Sequence, residues 1–325
     1  MHKNLRGHLS GFIFVFIIIV IGNVVIVAQN SVTGTWKSEP WSNKNSDAHR
    51  DADDGDPLDI SILKKDENKL QLSFSRNSSG RNRNQFGAGF DYSELQGLTR
   101  EQTQNGKVNF RIVREAGTLE CDGVFTGGKG SGTFRFAPSG SYLDAMRSRG
   151  FDFEKATTDN DEGVEGKLLN AALINVTTAL ADDLNSVNFG KLDVEDLFKA
   201  AIFRIDSKFM AEMKATGFPD LKMEDLVKAR IFKIDGEYVR QVYGMGFVEK
   251  DFEAMVKFRI FKVTPEFLRE LKATGFGDLS SEDVVKIRIF NIEPDFMRRA
   301  RTTDPSVSIE DLVQMKIGVY RKNGN

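Results

Sequence analysis

The chain has 325 residues, of which 40% are hydrophobic and 28% charged, a composition that excludes a disordered chain and a membrane protein with many spans. Lys and Arg number 45 against 47 Asp and Glu, and the net charge of −2 argues against a nucleic-acid-binding protein. The single Cys excludes an intrachain disulfide, and the three His (His2, His8 and His49) exclude most His-based metal sites.

The first 28 residues predict export from the cell. Two basic residues precede a predominantly apolar run over residues 12–28, which ends at the small residue Ala28, as in a secretory signal peptide. The alternative is an uncleaved inner-membrane anchor formed by residues 12–28, although a run of this length that contains Asn23 is short for a membrane span. No Cys directly follows the run, and this excludes a lipoprotein anchor. The expected location is periplasmic or secreted, and only His49 remains after cleavage.

Residues 29–140 are predicted to form an antiparallel β domain. Apolar and polar residues alternate in several short runs, and turn-rich sequence separates these runs, which is the pattern of half-buried strands. Six or seven short strands over this length are typical of a small sandwich or an open barrel. Cys121 has the parity of the apolar residues Leu119 and Phe125, so we expect its thiol to be buried and inert.

Two motifs in this half point weakly to ligands. Residues 123–130 resemble a phosphate-binding loop, but Gly130 stands where Ser or Thr should bind magnesium, and strand-like sequence follows instead of a helix. We therefore expect a hairpin turn there. The acidic residues of the loop 47–59 are those of a solvated loop or of a weak calcium site, although their spacing differs from the helix–loop–helix calcium pattern. We predict no metal site and no cofactor, and calcium binding by the loop stays open.

Residues 141–325 are predicted to form an α-helical repeat domain. Segments that begin at residues 196, 225, 254 and 283 align at a period of 29 residues, and one further copy lies on each side. We name this element helix A. A second element follows every copy except the last, and we name it helix B. Repeats of this length indicate helical hairpins that stack into an α-solenoid, because a short helix pair cannot bury its apolar face alone. The matched isoleucines are Ile202, Ile231, Ile260, Ile289 and Ile317.

Local signals support two helices in each repeat. Capping residues precede helix A (with Lys222 as the exception), proline occupies the first position of helix B twice, and glycine follows helix B three times. These residues are Asp193, Asp251, Ser280, Ser308, Pro265, Pro294, Gly217, Gly246 and Gly275. A segment similar to helix B at residues 141–151 predicts that the β domain ends in a helix that starts the stack. The predicted fold class is therefore α+β, with a small antiparallel β domain packed against an α-solenoid.

Helix A is apolar on two sides. The stripe formed by Leu226, Val227, Ile231 and Ile234 is predicted to lie in the core, and Phe232 lies far round the helix. One side is expected to contact the partner helix and the other the next repeat. We interpret all of these apolar side chains as core and predict no cofactor pocket among them.

A lysine recurs at one position of helix A and is predicted to point outward in a row. A regular cationic row suits a repetitive anionic polymer of the envelope or an acidic protein face. The simpler interpretation is a solvated lysine with no function. The predicted binding residues are Lys199, Lys228, Lys257 and Lys286.

An arginine recurs two residues after this lysine in three copies, and an acid follows each arginine seven residues later. The two units that lack the arginine also lack the acid. This co-occurrence predicts structural ion pairs across the turn between helix A and helix B. The predicted pairs are Arg230 with Glu237, Arg259 with Glu266, and Arg288 with Asp295.

The repeat pattern EDLVKxRIFxVTPEFLRELKATGF and the preceding segment REAGTLECDGVFTGGKGSGTFRF resemble parts of exported bacterial proteins. Similar repeats are appended to membrane metallopeptidases related to beta-lactam sensors. The resemblance covers residues 108–317 and implies a bacterial protein exposed to the envelope. It transfers no catalytic residue, because the His-Glu-x-x-His helix that binds the peptidase zinc is absent from this chain.

The sequence favours a non-enzymatic interaction or scaffold protein of the bacterial envelope, which binds a protein or an anionic envelope polymer through its helical repeats. We expect no nucleic-acid partner, no catalytic residue, and membrane contact only through residues 12–28. One alternative, a regulatory partner of an envelope sensor peptidase, follows from the resemblance alone. The other is a carbohydrate-active enzyme that uses two carboxylates, although helix caps and solvation explain the visible acids.

Overall fold

The computed structural model describes residues 31–39, 69–76, 85–155, 163–247 and 251–319. The predicted signal peptide or anchor, His49 and the acidic loop 47–59 lie outside these residues. The described part has a mixed α+β fold, in which seven β-strands come first and twelve α-helices follow. No helix of the described part is long and apolar enough to cross a membrane.

The strands form one curled antiparallel sheet in the order β3-β2-β1-β7-β6-β5-β4. They are β1 (Val32–Ser38), β2 (Lys69–Arg76), β3 (Gln85–Asp91), β4 (Leu95–Gln96), β5 (Asn105–Arg114), β6 (Gly117–Thr126) and β7 (Lys129–Pro138). The predicted antiparallel domain is confirmed as a half-barrel, and the sandwich alternative is wrong for these strands. The reason is that β1 pairs with both β2 and β7, so the early and late strands join one continuous sheet.

The buried face of the sheet is built from alternating apolar residues around Trp36. Every second residue of β1 is buried, and Trp36 is fully buried between Phe110 and Phe125, whose ring centroids lie 5.3 and 5.6 Å from it. The indole Nε1 donates a hydrogen bond to the carbonyl oxygen of Asp122 at 3.2 Å. A Cβ at Gly132 would lie 2.7 Å from the same Nε1, so glycine is required for this close approach.

The helices alternate between the two predicted types from α2 onward. They are α1 (Gly140–Ser148), α2 (Gly163–Leu173), α3 (Thr178–Asn185), α4 (Val194–Phe203), α5 (Ser207–Ala215), α6 (Met223–Ile231), α7 (Gly236–Gly244), α8 (Phe252–Ile260), α9 (Pro265–Lys272), α10 (Ser281–Ile289), α11 (Pro294–Thr303) and α12 (Ile309–Lys316). Helix A corresponds to the even-numbered helices. Helix B corresponds to α3, α5, α7, α9 and α11, and α1 is the earlier helix of the same type.

The predicted helix ends are confirmed. The side chains of Asp193, Asp251, Ser280 and Ser308 each cap a helix A, and the two prolines lie in the first turn of α9 and α11. The glycines after α5, α7 and α9 have φ of 80°, 95° and 79°. The structure adds a second left-handed position, at the end of helix A in α2, α4, α6, α8 and α10. It is occupied by Asn175, Arg204, Lys233, Lys262 and Asn291, whose φ lies between 49° and 56°.

Helices of the same type contact each other across neighbouring repeats. α4 contacts α6, α6 contacts α8, α8 contacts α10, and α10 contacts α12. The B-type helices α1, α3, α5 and α7 contact each other in the same order. The first helix A, α2, packs on β1, β3, β6 and β7. One hydrophobic core therefore runs from the sheet through the helices.

The first backbone N–H of three B helices donates a hydrogen bond to a carboxylate, which belongs to the β domain for α3 and to the previous helix B for α5 and α7. In α5 and α7 the first backbone N–H donates to a carboxylate of the previous helix B, at 2.8 Å from Ser207 to Asp183 and 3.0 Å from Gly236 to Glu212. In α3 the equivalent N–H of Thr178 donates to Glu115, in the turn between β5 and β6, at 2.8 Å. The carboxylate of Glu115 thus connects α3 to the β domain.

Candidate interaction surface

Three of the four lysines in the predicted row are bonded to a glutamate of the next helix A. The Nζ–Oε distance is 2.6 Å from Lys199 to Glu224 and 3.2 Å from Lys286 to Glu310, and Lys228 pairs in the same way with Glu253. The lysines lie at the surface, with side chains 31%, 40% and 43% exposed for Lys199, Lys228 and Lys286. These three charges are thus engaged within the protein, and anion binding by the row stays a prediction.

One member of each bridge has its pKa shifted by the hydrogen bond to its partner. The hydrogen bond to Glu253 raises the pKa of Lys228, and the hydrogen bond to Glu310 raises that of Lys286. The hydrogen bond from Lys199 lowers the pKa of Glu224. Each shift favours the ionised form of that group.

Lys257 is the exception in the row. No carboxylate pairs with it among the described residues, and Ala254 stands one turn before it where the other three copies have an aspartate. Its side chain is exposed. The repeat that contains α8 therefore carries a lysine charge that no acid of the described chain neutralises.

The predicted arginine–acid pairs do not form. Arg230, Arg259 and Arg288 turn toward the preceding repeat and donate to the carbonyl oxygen of the left-handed residue that ends the previous helix A. The distances from Nη2 are 2.8 Å to Arg204, 2.6 Å to Lys233 and 2.9 Å to Lys262. The correction has a physical reason: the last carbonyls of a helix lack intrahelical partners, and a guanidinium satisfies them well.

The acids of the predicted pairs bond within their own helix B instead. Glu266 accepts from Arg269 at 2.7 Å, Asp295 accepts from Arg298, and Glu237 accepts from Gln241 at 3.2 Å. The arginine and the acid of each predicted pair thus point to different neighbours. The arginine and the acid therefore occur in the same repeats without contacting each other.

Each repeated arginine also covers an aromatic ring of the preceding helix B. The guanidinium carbon lies 3.7 Å from the ring centroid of Phe209 for Arg230 and 3.6 Å from that of Tyr238 for Arg259. Arg288 lies 4.5 Å from Phe267. In the last copy a lysine takes this role, because the Nζ of Lys316 lies 5.2 Å from the ring centroid of Phe296. The cations therefore tie consecutive repeats together by ring and carbonyl contacts.

The repeated isoleucines are exposed, which the sequence did not lead us to expect. Ile202, Ile260, Ile289 and Ile317 have 52%, 45%, 51% and 53% of their surface exposed, and Ile231, which we placed in the core stripe, is only half-buried. The buried residues of that stripe are Leu226 and Ile234. These five isoleucines form what we call the isoleucine row. Their recurrence at one repeat position is the signal that could have identified them.

The arginine contacts link the isoleucine positions of neighbouring repeats. Each repeated arginine immediately precedes an isoleucine, and its guanidinium reaches the residue two places after the previous isoleucine. Arg288 thus bridges from Ile289 to the turn that follows Ile260. Within the described residues none of the three arginines forms a salt bridge, so the positive charges between the isoleucines are not neutralised by a carboxylate.

The remaining motifs are accounted for by structure. The predicted hairpin turn is formed by Gly127 and Gly128, with φ of 56° and 79°, between β6 and β7. Cys121 is fully buried, as predicted, and burial raises the pKa of its thiol well above the usual range. No group of three metal-ligating side chains exists in the part of the chain that the structure describes. The acidic loop 47–59 lies outside that part.

Comparisons of the chain with protein-family models, with curated proteins and with solved structures find no match in any of the three. The resemblance to the repeats of exported bacterial proteins therefore stays an expectation. Function has to be inferred from the geometry of the isoleucine row and its surroundings.

Proposed function

We propose that the protein is an exported, non-enzymatic interaction protein of the bacterial envelope, and that its helices form an α-solenoid whose isoleucine row binds a partner. Contacts between helices of the same type in successive repeats support the solenoid. The lysine–glutamate bridges and the arginine–carbonyl bonds recur between repeats, as a stacked array requires.

The observation that carries the proposal is the exposure of isoleucine at one repeat position. Solvated positions normally take polar residues, so an apolar side chain exposed at the same position of several successive repeats is a candidate for an apolar interaction surface. Covering the exposed half of one isoleucine contributes roughly 1 kcal/mol, so the row can supply a few kcal/mol before the entropic cost of association. Export and the bacterial envelope rest on the N-terminal sequence and on the resemblance.

The proposal is tested by chemical crosslinking and affinity capture from the cell envelope. The test variant combines Ile202→Thr, Ile260→Thr and Ile289→Thr, which keep a branched side chain and remove apolar surface. The matched control combines Val113→Thr and Val124→Thr, two strand residues that are each 44% exposed and lie on the sheet.

We expect the parent and the control to capture the same partner and the triple variant to lose it while melting at a similar temperature. Retention of the partner by a folded triple variant would overturn the proposal. A parent protein that captures nothing above a mock sample would overturn it as well.

A further inference from the structure

We propose that the partner on the isoleucine row is an acidic polypeptide segment in extended conformation, with apolar side chains at regular intervals, and that its binding is centred on α8 and α9. This inference rests on the proposed function, because it names the chemistry of the partner at the same surface.

The charges around Ile260 favour an acidic partner. The range 252–272 contains five basic and three acidic residues, whereas residues 151–325 as a whole contain 26 basic and 31 acidic residues. Lys257 and Arg259 have no carboxylate partner among the described residues, and Lys262 is exposed at the left-handed turn. Two of the three acids are already bonded, Glu253 to Lys228 of the preceding repeat and Glu266 to Arg269, which is one of the five basic residues. The α8–α9 repeat is therefore a local cationic centre on an acidic domain.

The surface carries both cationic side chains and exposed isoleucines, and this combination favours a polypeptide over the other anionic partners. A polysaccharide or another anionic polymer without apolar groups would leave the isoleucines uncovered. An anionic bilayer would have to accommodate the row of glutamates two turns from the isoleucines, of which Glu224, Glu253 and Glu310 are 58%, 53% and 63% exposed. A polypeptide can place apolar and acidic side chains separately, each opposite its complement.

The spacing of the row suits an extended chain. Packed helices lie about 8–10 Å apart, so consecutive isoleucines are separated by at least about that distance. Three residues of polyproline II conformation span roughly 9 Å. A segment with an apolar residue at every third position therefore presents one apolar side chain to each repeat, with acidic residues between them facing Lys257 and Lys262.

The test uses a fluorescein-labelled peptide, (Leu-Asp-Pro)₄, and fluorescence anisotropy with the folded protein at low salt. Two control peptides separate the contributions: (Leu-Lys-Pro)₄ reverses the charge, and (Ser-Asp-Pro)₄ removes the apolar side chains. Vesicles of phosphatidylglycerol test the bilayer as a competing partner. We expect the first peptide to bind at least about tenfold more tightly than either control, and we expect its affinity to fall with added salt.

The charge variant is Lys257→Gln combined with Lys262→Asn. Other copies of helix A have these residues at the same positions, as Gln314 and Asn291, so the fold accommodates them. We expect the variant to bind the acidic peptide roughly five- to tenfold more weakly, and the control Lys107→Gln with Lys129→Gln, on the sheet, to leave affinity unchanged.

The inference is overturned if (Leu-Asp-Pro)₄ binds no better than the controls, or if vesicles bind and the peptide does not. In either case the capture experiment with the isoleucine variants still decides the proposed function. The experiments therefore distinguish a wrong partner class from a wrong assignment of the isoleucine row as the binding surface.

Discussion

Replacing Arg259 by Met should destabilise the protein through the loss of one contact between repeats. The methionine keeps most of the apolar stem over the ring of Tyr238 and removes the guanidinium, whose Nη2 donates to the carbonyl oxygen of Lys233 at 2.6 Å. A hydrogen bond from a charged group contributes about 1.5–3 kcal/mol, and a cation over an aromatic ring about 0.5–2 kcal/mol. The Nε of Arg259 is buried without a partner, which offsets part of this gain. We therefore expect a net loss of about 2 kcal/mol.

The assay is urea unfolding followed by circular dichroism, with an unchanged slope as the condition for comparing midpoints. The matched control is Arg269→Met, which removes a side chain 55% exposed that pairs with the 68% exposed Glu266 and should change stability little. A double-mutant cycle of Arg259→Met with Tyr238→Leu should give a coupling energy of about 1 kcal/mol. A cycle of Arg259→Met with Glu266→Gln should give none. Coupling to Glu266 and none to Tyr238 would refute the assignment of the arginine to the preceding repeat.

Further predictions follow from buried groups. The hydroxyl of Tyr238 is buried without a hydrogen-bond partner, and burial raises its pKa to about 12; Tyr238→Phe should therefore leave the unfolding midpoint unchanged or raise it, and a clear fall would contradict this. The raised pKa of the Cys121 thiol keeps it protonated, so we expect no reaction with a thiol reagent at pH 7 until denaturant is added; rapid labelling of the native protein would disprove its burial. Gly132→Ala should destabilise the sheet strongly, because the new Cβ would collide with the backbone carbonyl oxygen of Asp122 and lie 2.7 Å from Nε1 of Trp36, and a thermal melt equal to that of the parent would show that the sheet adapts.

The repeats and the strands could be predicted from the sequence because each is a periodic pattern. Strand alternation identified the buried face, and the 29-residue period located both helices of the repeat. Capping residues such as Ser280 and Ser308 act within one turn, so their roles could be inferred from local sequence alone. The number of sheets could not be predicted, because it depends on β1 pairing with β7, which lies about 100 residues away in the chain.

The candidate surface could not be predicted in the same way. A helical wheel shows that helix A has two apolar sides, but it does not show whether a neighbour covers the last turn, where Ile260 and Ile289 remain exposed. The sequence predicts arginine–acid pairs because a comparison of the repeats contains only the identities of the side chains. In the structure the arginines donate to backbone carbonyls of left-handed residues such as Lys233 and Lys262. Every residue has such a carbonyl, so the residue identity does not reveal the acceptor.

The most direct test of the central claim is photo-crosslinking with a benzophenone amino acid placed in turn at Ile202, Ile260, Ile289, Val113 and Val124. All five side chains are between 44% and 52% exposed, so they sample solvent to a similar extent. If the isoleucine row binds a partner, crosslinks to one macromolecule should form from the three isoleucine positions and not from the two valine positions. Equal crosslinking from both sets, or crosslinking from the valines alone, would contradict the account.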